Sequence, residues 1–138
     1  MFKYAIVRKP SRSMIEGISE AELGLPNYDN AIKQHDDYIE ALKECGLEVT
    51  ELPAVEEYPD SCFVEDPALM TPHCAILTNP GAESRRGEVA HIADAVRKFY
   101  DNVEEIKSPG FVEAGDIMMV GDHYYIGLSE NFLTASAI

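Results

Sequence analysis

A pattern that occurs twice in the chain constrains its fold more than any other feature. The tripeptide Phe63-Val64-Glu65 recurs as Phe111-Val112-Glu113. After each copy come two apolar segments separated by a short break, at residues 69–70 and 75–77 and at residues 117–120 and 124–126. A repeat of about 50 residues is typical of architectures in which each unit buries its apolar face against its neighbours.

Helical periodicity also occurs twice. Residues that can share one helix face recur at Ile32, His35, Ile39 and Leu42, and again at Val89, Ile92, Val96 and Phe99. The first run predicts an amphipathic helix over residues 28–45, ended by Gly46, and the second predicts a helix over residues 89–99. Strand-like segments follow at residues 47–52 and 103–106, and another lies at residues 4–7. The chain is therefore predicted to be α/β, with about two and a half repeated units of strands plus a helix.

Residues 11–27, between the first strand and the first helix, are predicted to form a long loop. Gly17, Gly24 and Pro26 interrupt any regular pattern there. Loops of this length are frequently functional, so this segment is a candidate for contact with a ligand.

Charge and cysteine content narrow the classes of partner. The chain has 11 Lys+Arg against 25 Asp+Glu, a formal net charge of −14 that disfavours nucleic acid and anionic membranes and favours a cationic small molecule. The 3 cysteines form no metal-binding or disulfide pattern, which fits a reducing cytoplasm. No apolar stretch approaches the roughly 18 residues of a membrane span, and no metal site is expected.

Acidic residues cluster in the two repeated passages. Asp60, Glu65 and Asp66 lie in the first, and Glu113 and Asp116 lie in the second. If the repeats face a common axis, these carboxylates converge, and paired carboxylates bind a guanidinium well through parallel charge-assisted hydrogen bonds. The alternative is that they are ordinary solvated acids in an acidic chain.

Two arginines, Arg85 and Arg86, stand where the second helix begins. Because the helix dipole disfavours a cation there, a role in holding an anion such as a substrate carboxylate is one hypothesis. A surface ion pair with Glu83 or Glu88 is the other.

None of the three cysteines has the surroundings of an activated nucleophile. Cys45 ends a helix, where the dipole disfavours a thiolate, and Cys62 neighbours several carboxylates. Cys74 begins an apolar strand and is expected in the core.

Four segments together resemble the dimethylarginine dimethylaminohydrolase family of the guanidine-modifying pentein superfamily. They are residues 2–13 (FKYAIVRKPSRS), 59–67 (PDSCFVEDP), 80–88 (PGAESRRGE) and 112–116 (VEAGD). The resemblance covers residues 1 to about 130 and implies a propeller of five ββαβ units, of which residues 1–138 would be one partial domain. It also implies hydrolysis of N-methylated arginines to citrulline and a methylamine through a covalent cysteine intermediate, with no cofactor.

Individual roles follow from the same resemblance. It implies that Asp60, Glu65 and Asp66 bind substrate, and that Arg85 holds the substrate carboxylate. It implies that Glu113 aligns the catalytic histidine and the substrate guanidinium. Ile18 falls in the family's lid, where the backbone contacts substrate.

The chain departs from the family near its end. Residues 131–138 diverge, no second carboxylate-binding arginine occurs after Ser129, and the family's catalytic histidine and cysteine do not appear. We therefore expect a substrate-recognition half that is inactive alone and that exposes an apolar interface through which it could form a homodimer. An arginine deiminase-like hydrolase and a non-catalytic binding module are the alternatives.

Overall fold

The computed structural model describes residues 2–19 and 23–127. The chain divides into two compact units, Met1–Val64 and Glu65–Ile138. The expected departure from the family pattern, at residues 130–138, lies outside the described residues.

The first unit contains two parallel strands that are connected by a helix. Strand β1 (Tyr4–Arg8) pairs with β2 (Glu48–Leu52), and helix α1 (Tyr28–Glu44) connects them. The side chain of Asn27 accepts the Asn30 N–H at 2.9 Å and so caps the start of α1. Gly46, with φ of +83°, ends it as predicted. Ile39, from the predicted apolar face, is buried.

Residues 11–27 are not wholly irregular. A short 3-10 helix occupies Arg12–Glu16. The Arg12 and Ser13 N–H groups both donate to the carboxylate of Glu56 at 3.0 Å, which supplies the capping that the local sequence lacks. The prediction of a loop without any element was wrong here, because the stabilising partner lies more than 40 residues away in the chain.

The second unit contains a complete ββαβ arrangement. Strands β3 (Ala68–Met70) and β4 (Ala75–Leu77) are antiparallel, helix α2 (Glu88–Val96) follows, and β5 (Val103–Glu105) pairs in parallel with β4. Ile92 and Val96 of α2 are fully buried with Ala75 of β4. The predicted helix is therefore present, but it ends at Val96 and not at Phe99 as predicted.

A hairpin follows the second FVE tripeptide. Strands β6 (Ile117–Val120) and β7 (His123–Ile126) are antiparallel, and Gly121 has a φ of +60° in the connecting turn. The predicted succession of strands after each tripeptide is thus observed, and the α/β class is confirmed.

No helix among residues 2–19 and 23–127 is both long and apolar enough to cross a membrane.

Candidate functional site

Two predicted residues of the first unit are in direct contact. The Ile18 N–H donates to both carboxylate oxygens of Asp60, at 3.0 and 3.2 Å. Asp60 is 7% exposed, whereas Ile18 is 61% exposed. The long segment after β1 is therefore attached by its backbone to a buried acid, and its apolar side chain faces solvent.

A cavity of about 730 Å³ lies beside this contact. Its walls are mostly apolar and include Met14, Ile18, Leu25, Pro59 and Phe63, with Asp60 as the buried charged group. An apolar cavity with one buried carboxylate can accept a ligand that has an aliphatic part and a cationic end.

The same segment is held at its start by Glu56. Its two bonds from the Arg12 and Ser13 N–H groups lower the pKa of the Glu56 carboxyl below its usual value. The Arg12 guanidinium also lies over the ring of Tyr28, 4.6 Å from the centroid. Glu56 and Asp60 thus fix residues 12–18 at both ends.

In the second unit, backbone hydrogen bonds bring Asp66 beside the passage that contains Glu113. The Ala114 N–H donates to the Asp66 carbonyl at 3.0 Å, and the Thr78 hydroxyl donates to the same oxygen at 2.8 Å. The Val112 N–H donates to the Asn79 carbonyl at 3.0 Å. The two repeated passages are therefore neighbours through their main chains.

Arg85 is enclosed by two acids. Its Nε and Nη2 donate to the carboxylate of Glu88 at 3.0 and 2.8 Å, and its Nη1 donates to Asp66. Arg85 is 7% exposed and Glu88 is 2% exposed. The bidentate pair fixes the plane of the guanidinium, so Arg85 in turn orients the carboxylate of Asp66.

The acidic neighbours of Arg85 determine its pKa. Burial lowers the pKa of the Arg85 guanidinium, but its bonds to Glu88 and Asp66 outweigh burial and raise that pKa above its usual value. Of the two partners predicted for a surface ion pair, Glu83 and Glu88, the structure pairs Arg85 with Glu88, but this pair is buried and not at the surface. Arg86 instead donates to the carbonyls of Pro80 and Gly81 at 3.2 and 3.1 Å.

Glu113 is half-buried, and its carboxyl has a raised pKa. Burial is the main cause, and the negative charge of Asp66 adds to it, while the charge of Arg85 acts in the opposite direction. A further cation that binds near this carboxyl would stabilise its ionised form. Glu65 is exposed, and its Cγ lies near Gly115.

The structure groups the predicted residues by unit. Ile18 contacts Asp60 in the first, while Asp66, Arg85 and Glu113 form one cluster in the second, with Glu65 at its edge. No sequence pattern indicated Glu56, which holds the start of the segment after β1. Only the Arg85 and Glu88 spacing, three residues apart, gave a signal for such a contact. Among the residues that the structure describes, no group of three His, Cys, Asp or Glu side chains could hold a metal ion.

Comparison with known proteins gives the family. The family model described as eukaryotic N,N-dimethylarginine dimethylhydrolase matches residues 20–134. The dimethylarginine dimethylaminohydrolase of Pseudomonas aeruginosa is 56% identical over 130 residues, which are 94% of this chain and 51% of that protein. This chain belongs to the dimethylarginine dimethylaminohydrolase family. The prediction made from its motifs is confirmed.

Solved structures agree with the family assignment. The Pseudomonas aeruginosa dimethylarginine dimethylaminohydrolase, solved as a cysteine-to-serine mutant with citrulline, matches with a TM-score of 0.96 and 54% identity over 99% of this chain and 54% of that chain. The N-terminal domain of a cyanobacterial arginine dihydrolase, solved with its product, shares the fold, with a TM-score of 0.71 and 18% identity over 83% of this chain and 43% of that chain. The chain thus spans about half the length of these relatives.

Proposed function

We propose that this chain is the substrate-recognition part of a hydrolase that converts N-methylated arginines to citrulline and a methylamine. The observation that carries the proposal is the cluster of Asp66, Arg85 and Glu113 in a member of this family. Burial raises the pKa of the Glu113 carboxyl and the charge of Asp66 adds to it, so a guanidinium bound between the two carboxylates would stabilise the ionised form of both.

In this proposal the ligand exchanges partners with Arg85. Asp66 is bonded to the Arg85 guanidinium in this structure, so a ligand guanidinium is an equivalent partner for the same carboxylate. When Asp66 turns to the ligand, Nη1 of Arg85 can donate to the α-carboxylate instead. Glu88 keeps its two bonds to Arg85 throughout, so the guanidinium plane stays fixed. The two ends of the ligand are then recognised by opposite charges.

In the first unit, Asp60 and Ile18 are also proposed as residues that bind the substrate. Asp60 is buried beside the cavity and accepts the Ile18 N–H, so a ligand cation that reaches Asp60 also contacts the backbone of the proposed lid. Glu65, exposed beside Gly115, is proposed as a further contact for the ligand. Ile18 serves through its backbone, which explains why its side chain is exposed.

Turnover requires a nucleophile, and we propose that this chain alone lacks one. Cys45 follows the last residue of α1 and is exposed, and Cys62 and Cys74 are half-buried. Neither the C-terminal end of α1 beside Cys45 nor the Thr71 hydroxyl, 3.8 Å from the sulfur of Cys74, is a group that activates a thiol. The purified 138-residue chain should form no citrulline from dimethylarginine. Citrulline formation that depends on one of these cysteines would contradict this part of the proposal.

The wider arrangement is also a proposal. The complete ββαβ order of residues 68–105, followed by the β6–β7 hairpin, supports a propeller of such units, of which this chain would hold about two and a half. Exposed apolar side chains on the hairpin, such as Met118 and Tyr125 at 57% each, support association with a second copy. The three cysteines, none of them in a disulfide, support a cytoplasmic location.

The test of recognition is kinetic and uses a chimera. The part of the Pseudomonas relative that lies beyond the match is joined to this chain, and turnover is measured on dimethylarginine, arginine and an alkylguanidine without a carboxylate. Arg85→Ala should weaken use of the two amino acids by about 1.5–3 kcal/mol, the strength of a charge-assisted hydrogen bond, and should weaken use of the alkylguanidine less, because that ligand loses only the orientation of Asp66. Asp66→Asn should impair all three.

Arg97→Ala is the matched control, because its guanidinium is half-exposed and its ion pairs are 3.5 and 3.6 Å long. It should leave all three activities unchanged. Equal losses on both kinds of substrate with Arg85→Ala would refute the assignment of charges. Faster turnover of arginine than of dimethylarginine would favour the deiminase alternative instead.

A further inference from the structure

Two groups of glycines stand out among the described residues. Gly24, Gly46 and Gly121 have positive φ, and a Cβ added to any of them would meet nothing within 4 Å. These three are needed for backbone conformation. Gly17 and Gly115 are different, because neither has positive φ, yet both are crowded.

At Gly17 the crowding comes from Asp60. The φ and ψ of Gly17 are −61° and 163°, values that any residue adopts. A Cβ there would lie 2.6 Å from Oδ1 of Asp60 and 3.1 Å from the Met14 carbonyl oxygen. Oδ1 is also the nearer of the two oxygens that accept the Ile18 N–H. The space of the missing side chain is therefore occupied by the carboxylate that holds the lid.

At Gly115 the crowding comes from Asp66. A Cβ would overlap Oδ1 of Asp66, while the other oxygen, Oδ2, is the one bonded to Arg85. The Ala114 N–H bond to the Asp66 carbonyl keeps the two backbones at this distance, so the glycine cannot retreat. Any side chain at residue 115 must turn the carboxylate of Asp66 away from its present orientation.

We propose that Gly17 and Gly115 are positioning residues, each of which gives the space of its missing side chain to the carboxylate of a substrate-binding acid, Asp60 and Asp66 respectively. The inference deepens the proposed function and rests on it for the role of the two acids. A glycine packed against an acidic side chain thus occurs in each unit, and the local backbone structure differs between the two cases. These two positions are therefore glycine because of the position of the neighbouring carboxylates, and not because of their backbone conformation.

The sign of one stability measurement tests the Gly115 case. Replacing a glycine that lacks positive φ with alanine normally stabilises a protein, because the unfolded chain loses freedom. Gly115→Ala should instead lower the urea midpoint, because Asp66 is displaced from Arg85. In an Asp66→Ala background the same substitution should raise the midpoint or leave it unchanged. Gly127→Ala is the control, because its Cβ would make ordinary contacts at 3.5 and 3.7 Å. An equal lowering by Gly115→Ala in both backgrounds would overturn the proposal.

The Gly17 case is tested by hydrogen exchange of a single amide. Gly17→Ala should speed exchange of the Ile18 N–H by about tenfold or more, since its acceptor is displaced. Gly127→Ala should not change it. Unchanged Ile18 exchange in Gly17→Ala would overturn the proposal for this residue.

Ligand affinity separates this inference from the function on which it rests. Gly17→Ala and Gly115→Ala should each weaken binding of dimethylarginine to the chain by about tenfold, measured by calorimetry. Wild-type affinity in either variant would overturn the positioning role of that residue. Midpoint and exchange changes as expected, with no binding by the wild-type chain, would contradict the proposed function and leave the two carboxylate positions supported.

Discussion

Removing the guanidinium of the buried Arg85 should cost far more stability than removing that of the half-exposed Arg97. Arg85→Met keeps a long apolar stem and removes the hydrogen bonds that the guanidinium donates to Glu88 and to Asp66. Glu88 then stays 2% exposed with its charge no longer compensated by Arg85. Breaking a buried ion pair by removing one partner costs about 3–5 kcal/mol.

The matched control is Arg97→Met, because Arg97 is half-exposed and its contacts with Asp94 and Glu105 are 3.5 and 3.6 Å long. Its loss should be at most about 1 kcal/mol. Both free energies of unfolding are measured by urea denaturation with the slope compared between variants. Arg85→Lys, which keeps the charge and loses the bidentate geometry, should fall between them.

A double variant separates charge from packing. In Arg85→Met combined with Glu88→Met, the buried carboxylate that lost Arg85 is removed as well, so a large part of the lost stability should return. The reasoning would be refuted if Arg85→Met and Arg97→Met cost the same, or if the double variant were as unstable as the sum of the two single substitutions.

Three other predictions concern single residues. Gly46→Ala should cost about 1 kcal/mol of unfolding free energy by urea denaturation, because alanine resists the left-handed conformation at the end of α1; no loss would contradict the cap. Glu113→Gln should raise the melting temperature at pH 7 but not below pH 4.5, since a raised folded pKa destabilises the ionised form only above the usual value of 4.5. A gain that is the same at both pH values would refute this. Glu56→Gln should speed amide exchange at Arg12 and Ser13 and leave Ile18 unchanged, whereas unchanged exchange at both amides would exclude Glu56 as their acceptor.

The elements were predictable where the signal was local. The face of Ile32, Ile39 and Leu42 repeats at helical spacing, and Gly46 marks the end of the helix, so α1 was correctly placed. The end of α2 was misplaced, because Phe99 continues the spacing in sequence although the chain turns after Val96. The 3-10 helix at Arg12–Glu16 depends on Glu56, which no local pattern reveals.

The residue types of the candidate site could be predicted from the sequence, but the contacts between their side chains could not. Motif similarity singled out Asp60, Asp66 and Arg85, and their charges suggested a ligand with opposite charges at its two ends. That Asp66 is bonded to Arg85 follows from backbone hydrogen bonds between distant segments, which sequence spacing does not encode. The role of Gly115 was hidden for the same reason, since a glycine required for space has no turn pattern around it.

Calorimetric titration of the chain with dimethylarginine tests the central claim most directly. We predict saturable binding to the wild-type chain, weaker by about tenfold or more in Asp66→Asn because a charge-assisted contact with the guanidinium is lost. Asp94→Asn, at a side chain that is 97% exposed, should bind as the wild type does. Equal affinity in all three proteins, or no binding to the wild-type chain, would contradict the claim that this acid cluster recognises the substrate.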